Sequence, residues 1–186
     1  MTRNLSVGSV YEIKIKNLEL KYGKSGSIDA NDSLSNGRVS YYIFEKLIRE
    51  LTGLKPGTGG IDHVDSQGRK FEQKSFSDLI DFPTSGKKVH CGPSAFFAKN
   101  SGTAAYRAAI SQSYKMALKL CDDKGYSKND FYIFTNTSGF TFNQNFKYFV
   151  IPTSTLIANL DKEDPRKILR STLLQLNQGK SVLLKD

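Results

Sequence analysis

The chain has 186 residues, a formal net charge of +9 and a sequence pI near 9.5, which suits one domain with a substantial core and leaves no room for a large second module. The basic balance favours a polyanionic partner such as nucleic acid. No uninterrupted apolar run approaches the roughly 20 residues that cross a bilayer, so a helical membrane protein is excluded. Cys91 and Cys121 lack metal-ligand spacing and the chain opens with no apolar leader, so we expect reduced thiols in a cytoplasm.

No internal repeat is present. Val10 to Lys21 alternates apolar and charged residues over only part of its length and fits strand or helix. Gly23 to Gly37 and Asp81 to Gly102 are rich in Gly, Ser, Asn, Asp or Pro and read as loops. Between them Ile43, Leu47, Leu51 and Leu54, flanked by Phe44 and Ile48, recur at helical spacing and stop near Gly57 and Gly59. Gly60 to Asp65 and Arg69 to Phe76 read as a β-hairpin closed by Ser66-Gln67-Gly68, with Gly68 in the left-handed conformation.

From Thr103 to about Asp123 a single amphipathic helix is predicted, with Tyr106, Ile110, Tyr114, Ala117 and Cys121 on one face and Arg107, Lys115 and Lys119 on another. Asp130 to Thr135 and Phe146 to Ile151 have the aromatic and β-branched density of core strands. Asp164-Pro165 is a good helix start, and Ile168, Leu169, Leu173 and Leu176 continue a closing helix up to Gly179.

The hairpin carries the chemistry. With Ser66 to Gly68 as its loop, Asp65 pairs with Arg69 and, counting outward, Asp62 falls opposite Glu72. Opposed residues have Cβ atoms about 5 Å apart, close enough for two carboxylates to share a divalent cation. Lys74, two residues beyond Glu72, lies on the same face roughly 7 Å along the strand, while Phe71, Gln73 and His63 face the other way. Phosphodiester hydrolysis needs positive charge, because the nucleophile is poor at neutral pH and the transition state gathers negative charge. Magnesium held by Asp62, Glu72 and a nearby carbonyl would acidify a bound water and neutralise the phosphate. Lys74 would orient or deprotonate that water, or stabilise the pentacovalent phosphate. The cation would also offset the repulsion between the facing carboxylates.

Gly60-Ile61-Asp62 followed by Phe71-Glu72-Gln73-Lys74 resembles the motif of the PD-(D/E)XK nucleases, the superfamily containing most restriction endonucleases, with Ile61 where the family name has proline. The resemblance implies a restriction-endonuclease-like α/β core, a central mixed β-sheet flanked by helices. Its order is helix, acid-bearing β-meander, helix and strand, which the chain matches from Arg38 to Thr135 if the meander has one further strand. It also implies that a glutamate of the preceding helix helps bind metal. Glu45 is the candidate, although the Ile43, Leu47 and Leu51 stripe puts it on the polar side beside Arg49. Asp65 would replace Asp62 if the loop were shorter or bulged.

Other signals are weaker. His90-Cys91-Gly92 lacks the spaced partners of a zinc site and reads as a turn. Arg107, Lys115 and Lys119 are candidate phosphate contacts, and Lys87-Lys88 would touch the backbone or a groove from the long loop. A catalytic core consumes most of the chain and no reading module is recognisable. The chain therefore resembles the small cleavage subunit of a heterodimeric type IIS restriction endonuclease, which implies a larger partner that recognises double-stranded DNA and nicks the other strand. The competing expectations are an autonomous or homodimeric repair or recombination nuclease of the same core, and a non-catalytic nucleic-acid-binding protein.

Overall fold

The computed structural model describes residues 3–14, 19–22, 26–29, 37–76, 88–93, 100–137, 145–176 and 180–184. The elements in chain order are β1 (Ser9–Lys14), β2 (Glu19–Tyr22), β3 (Gly26–Asp29), α1 (Gly37–Thr52), β4 (Lys55–Pro56), β5 (His63–Val64), β6 (Lys70–Phe76) and β7 (Lys88–His90). They continue with α2 (Asn100–Gln112), α3 (Tyr114–Lys124), a 3-10 turn (Tyr126–Lys128), β8 (Phe131–Asn136), β9 (Asn145–Pro152), α4 (Thr153–Ala158), β10 (Lys167–Leu169), α5 (Arg170–Gln175) and β11 (Lys180–Leu184).

Seven strands form one mixed sheet in the order β11-β1-β9-β8-β6-β5-β4, parallel at β1/β11 and β6/β8 and antiparallel elsewhere. The N-terminal segment that fitted either periodicity thus contains the strands β1 and β2, and β1 lies inside the sheet. β2 and β3 form a separate hairpin, with β3 inside what the sequence marks as the first loop. β4 is the further meander strand, antiparallel to β5.

Strand alternation divides the core between the two faces of the sheet. Tyr132, Phe134, Phe149 and Ile151 pack with Tyr106 of α2, Ala117 and Cys121 of α3, Leu156 of α4 and Leu173 of α5. Their neighbours Ile133, Tyr148 and Val150 face the other way, onto Phe44 and Ile48 of α1. The protein is therefore mixed α/β, a mixed sheet with helices on both faces. Cys91 and Cys121 are free, buried thiols, and burial pushes each up to about 12.

Two predicted helices are corrected. The stretch from Thr103 to Asp123 is broken at Ser113, whose extended backbone and side chain cap α3 by accepting from the Met116 N–H. A serine at that position satisfies an otherwise orphaned helical donor, so the chain restarts rather than continues. The closing helix begins only at Arg170, because Lys167–Leu169 is drawn into a strand against β7 in the predicted second loop. Asp164 is therefore a hub rather than a helix cap. Its carboxylate accepts from Tyr106 Oη at 2.5 Å, from Arg166 Nε at 3.0 Å and Nη2 at 2.9 Å, and pairs with Lys167 at 3.1 Å.

Burial alone would raise the Asp164 carboxyl, but the bonds from Arg166, Tyr106 and Lys167 outweigh it and hold the group well below its ordinary value of 3.8. A depressed carboxyl adds stability that is present above the unfolded-state value and is lost as pH falls through the folded-state value. Asp164→Ala should cost about 3 kcal/mol at neutral pH, a difference that shrinks below about pH 4. Urea unfolding at the two pH values checks this, and equal costs at both would show that Asp164 acts by packing alone.

Candidate active site

The hairpin register is as the sequence predicts. His63 pairs with Phe71 and Val64 with Lys70, the Asp65 N–H donates to Arg69 O at 3.0 Å, and the Gly68 N–H donates back to Asp65 O at 3.2 Å. Gly68 has φ +79°, the left-handed conformation that favours glycine. Asp65 holds the loop shut, its carboxylate accepting from the Gln67 and Arg69 N–H groups at 2.8 and 2.9 Å and from Arg69 Nε at 2.6 Å. Burial would raise this carboxyl, yet those bonds hold it below its usual range. With a regular register and a committed side chain, Asp65 is a structural acid, which removes the alternative to Asp62.

Extending the same register one step places Asp62 across from Glu72. Asp62 Oδ2 accepts the Gln73 N–H at 2.7 Å, tying the acid to the neighbouring strand. Glu72 is 8% exposed and is held by Lys74 Nζ at 2.5 Å. On the adjoining β8, Tyr132 is in register with Glu72 and Phe134 with Lys74. Burial raises the Glu72 carboxyl, Lys74 lowers it, and the charges of Asp62 and Glu45 raise it further, with a net upward direction. The opposite face carries the packing residues. His63 is fully buried with Nε2 2.8 Å from Gln73 Oε1, and Gln73 Nε2 donates to Thr135 Oγ1 at 3.3 Å.

Glu45 is corrected in placement. The buried arc of α1 centres on Phe44, Ile48 and Thr52, with Leu47 and Leu51 half-buried beside it. That centre lies one residue along from the stripe used in the sequence, and the rotation carries Glu45 inward to 8% exposure. It pairs with Arg49 at 3.4 Å and lies within electrostatic reach of both His63 and Glu72. α1 packs on the face of the sheet that carries Phe71 and Ile133, whereas Glu72 is in register with Tyr132 of the other face, so Glu45 reaches Glu72 through its charge alone. Among the described residues no group of three or more His, Cys, Asp or Glu is close enough to hold a metal ion. The donor chemistry of Asp62 and Glu72 nevertheless fits a hard divalent cation, since both are carboxylates and Glu72 feels the like charges of Asp62 and Glu45.

A cleft of about 200 Å³ opens beside Glu72, with Tyr132 on the sheet side and Gly59 and Gly60 on the meander side. The cations singled out in the sequence do not line it. Arg107 lies on α2 and Lys115 and Lys119 on α3, all exposed but on two helices rather than one. Lys88 is also reassigned, because its ammonium is held by Asp161 at 2.5 Å and Glu163 at 3.0 Å. Lys87 lies outside the described residues. Lys124 and Lys128 do line the cleft. Nothing local in the sequence marks a lysine at a helix end and another in the following turn as neighbours of a distant hairpin.

No family model matches the chain, and no curated protein or solved structure matches it. Among the described residues no helix is long and apolar enough to cross a membrane.

Proposed function

We propose that the chain is a magnesium-dependent DNA endonuclease subunit with a restriction-endonuclease-like core, hydrolysing a phosphodiester bond in one strand of double-stranded DNA. The observation that carries this reading is the hairpin register, which sets Asp62 across from Glu72 with Lys74 beside Glu72 on the same strand face. Support also comes from the order α1, the meander β4-β5-β6, α2-α3 and β8 parallel to β6, which is the order the resemblance implies.

Asp62 and Glu72 would hold the magnesium, with Glu45 adding negative charge from α1. The ion would supply positive charge at the scissile phosphate and acidify water there. Lys74 has two contributions of its own. It neutralises Glu72 while the site is free of metal, and it offers an ammonium to the phosphate oxygens on which charge accumulates. The hydrogen bond from the Gln73 N–H holds Asp62 against the strand, so the acids and the ammonium stay on one rigid element. A single set of these groups cuts a single strand, and recognition of the target falls to a larger partner subunit, as in heterodimeric type IIS restriction.

The test is plasmid cleavage by the purified chain with and without a co-purified larger protein. Magnesium should support cutting only in the combined sample, and calcium should support binding without turnover. Vigorous cutting by the chain alone would favour an autonomous nuclease, and no cutting in either sample would leave a binding protein.

A further inference from the structure

The wall of the cleft opposite the meander is built by the end of α3 and the 3-10 turn. Lys124 closes α3 and Lys128 closes the 3-10 turn, and both ammoniums are exposed at the cleft that Glu72 lines. The ammoniums of Lys74, Lys88 and Lys167 are each held by a carboxylate. Among the described residues no carboxylate pairs with Lys124 or Lys128. The nearby Asp122 is turned to the Ser127 hydroxyl, which donates to it at 2.6 Å.

The arrangement is built rather than incidental. A Cβ at Gly125, between the two lysines, would stand 2.7 Å from Pro93 Cγ, so only glycine lets the segment sit this close. Asn129, which also lines the cleft, is 7% exposed, and its Oδ1 has no hydrogen-bond partner although Nδ2 donates to Gly125 O at 3.2 Å. A buried acceptor left unpaired is unfavourable. Across the cleft, a Cβ at Gly59 or Gly60 would meet nothing within 4 Å, so that wall is low backbone with space above it.

We propose that Lys124 and Lys128 grip the sugar–phosphate backbone of the DNA strand being cut, on phosphates adjacent to the one that reaches Glu72. This rests on the nuclease reading and adds to it the path of the strand. It also replaces Lys115 and Lys119, on the same helix but away from the cleft, as the principal phosphate contacts.

The test is fluorescence anisotropy of a labelled DNA duplex with the full chain in calcium, titrated over a range of potassium chloride concentrations. Each phosphate contact contributes about 0.9 to the slope of log affinity against log salt. The Lys124→Gln/Lys128→Gln variant should therefore lose about 1.8 of slope and bind at least about tenfold more weakly near physiological salt, with an unchanged melting temperature. Lys115→Gln/Lys119→Gln should keep most of the slope. A slope unchanged in the first variant, a larger loss in the second, tighter binding of an RNA duplex of the same sequence, or no binding by the wild-type chain would each overturn the proposal. If the first variant keeps its slope while Glu72→Gln stops cutting, the grip fails and the nuclease reading stands. If the slope falls while Glu72→Gln cuts normally, the grip stands and the catalytic reading fails.

Discussion

Glu72→Gln is expected to reduce DNA cleavage by about a thousandfold or more, because it removes a negative oxygen donor from the metal and with it the charge stabilisation of the phosphate. The protein should remain folded. Burial raises the Glu72 carboxyl despite Lys74, so the buried charge carries a desolvation cost that an amide of the same shape does not. Lys74 is left without its ion pair but is partly exposed and can be hydrated. The melting temperature of the variant should therefore equal or exceed that of the wild type near neutral pH. Cleavage at the wild-type rate by a folded Glu72→Gln protein would remove the proposed centre.

Lys74→Met should have nearly as large an effect on turnover through a different cause. Methionine keeps the length of the stem and discards the ammonium, and removing a donor aimed at developing charge slows a reaction by about a hundred- to a thousandfold. Divalent-cation binding should respond in the opposite sense. Lys74 pairs directly with Glu72, so in the wild type it competes with a cation for that carboxylate, and the variant should bind manganese at least as tightly as the wild type by calorimetry. Glu72→Gln should bind it weakly. If Lys74→Met lost cation binding along with turnover, the lysine would be organising the acids rather than assisting at the phosphate.

The parts legible in the sequence are those fixed by neighbouring residues. The Asp62 to Glu72 register followed from the loop length and from a glycine at position 68, since a three-residue hairpin leaves one pairing in phase. The β8 and β9 strands followed from runs such as Phe131-Tyr132-Ile133-Phe134, too apolar for a surface. Where the outcome depends on partners far along the chain, the local pattern carries no signal of it. Lys167–Leu169 is a strand only because β7 pairs with it, and the helical spacing of Ile168 and Leu173 could not register that competition. The break at Ser113 did carry a signal, a serine three residues before the Met116 N–H it caps, but the continuous apolar face from Tyr106 to Cys121 masked it. A helical wheel of α1 drawn from the sequence is centred one residue off, because Leu47 and Leu51 weigh more in a hydrophobicity count than their half-buried positions warrant, and it places Glu45 on the polar side. The cleft lysines had no local signature, since the wall they form meets Glu72 only after the sheet assembles.

The central claim is that Asp62 and Glu72 serve one divalent ion. Anomalous diffraction from crystals grown with manganese tests it most directly. The account predicts a peak about 2 Å from a carboxylate oxygen of each acid, with Lys74 released from Glu72. Manganese bound elsewhere, with Glu72 still held by Lys74, would contradict it.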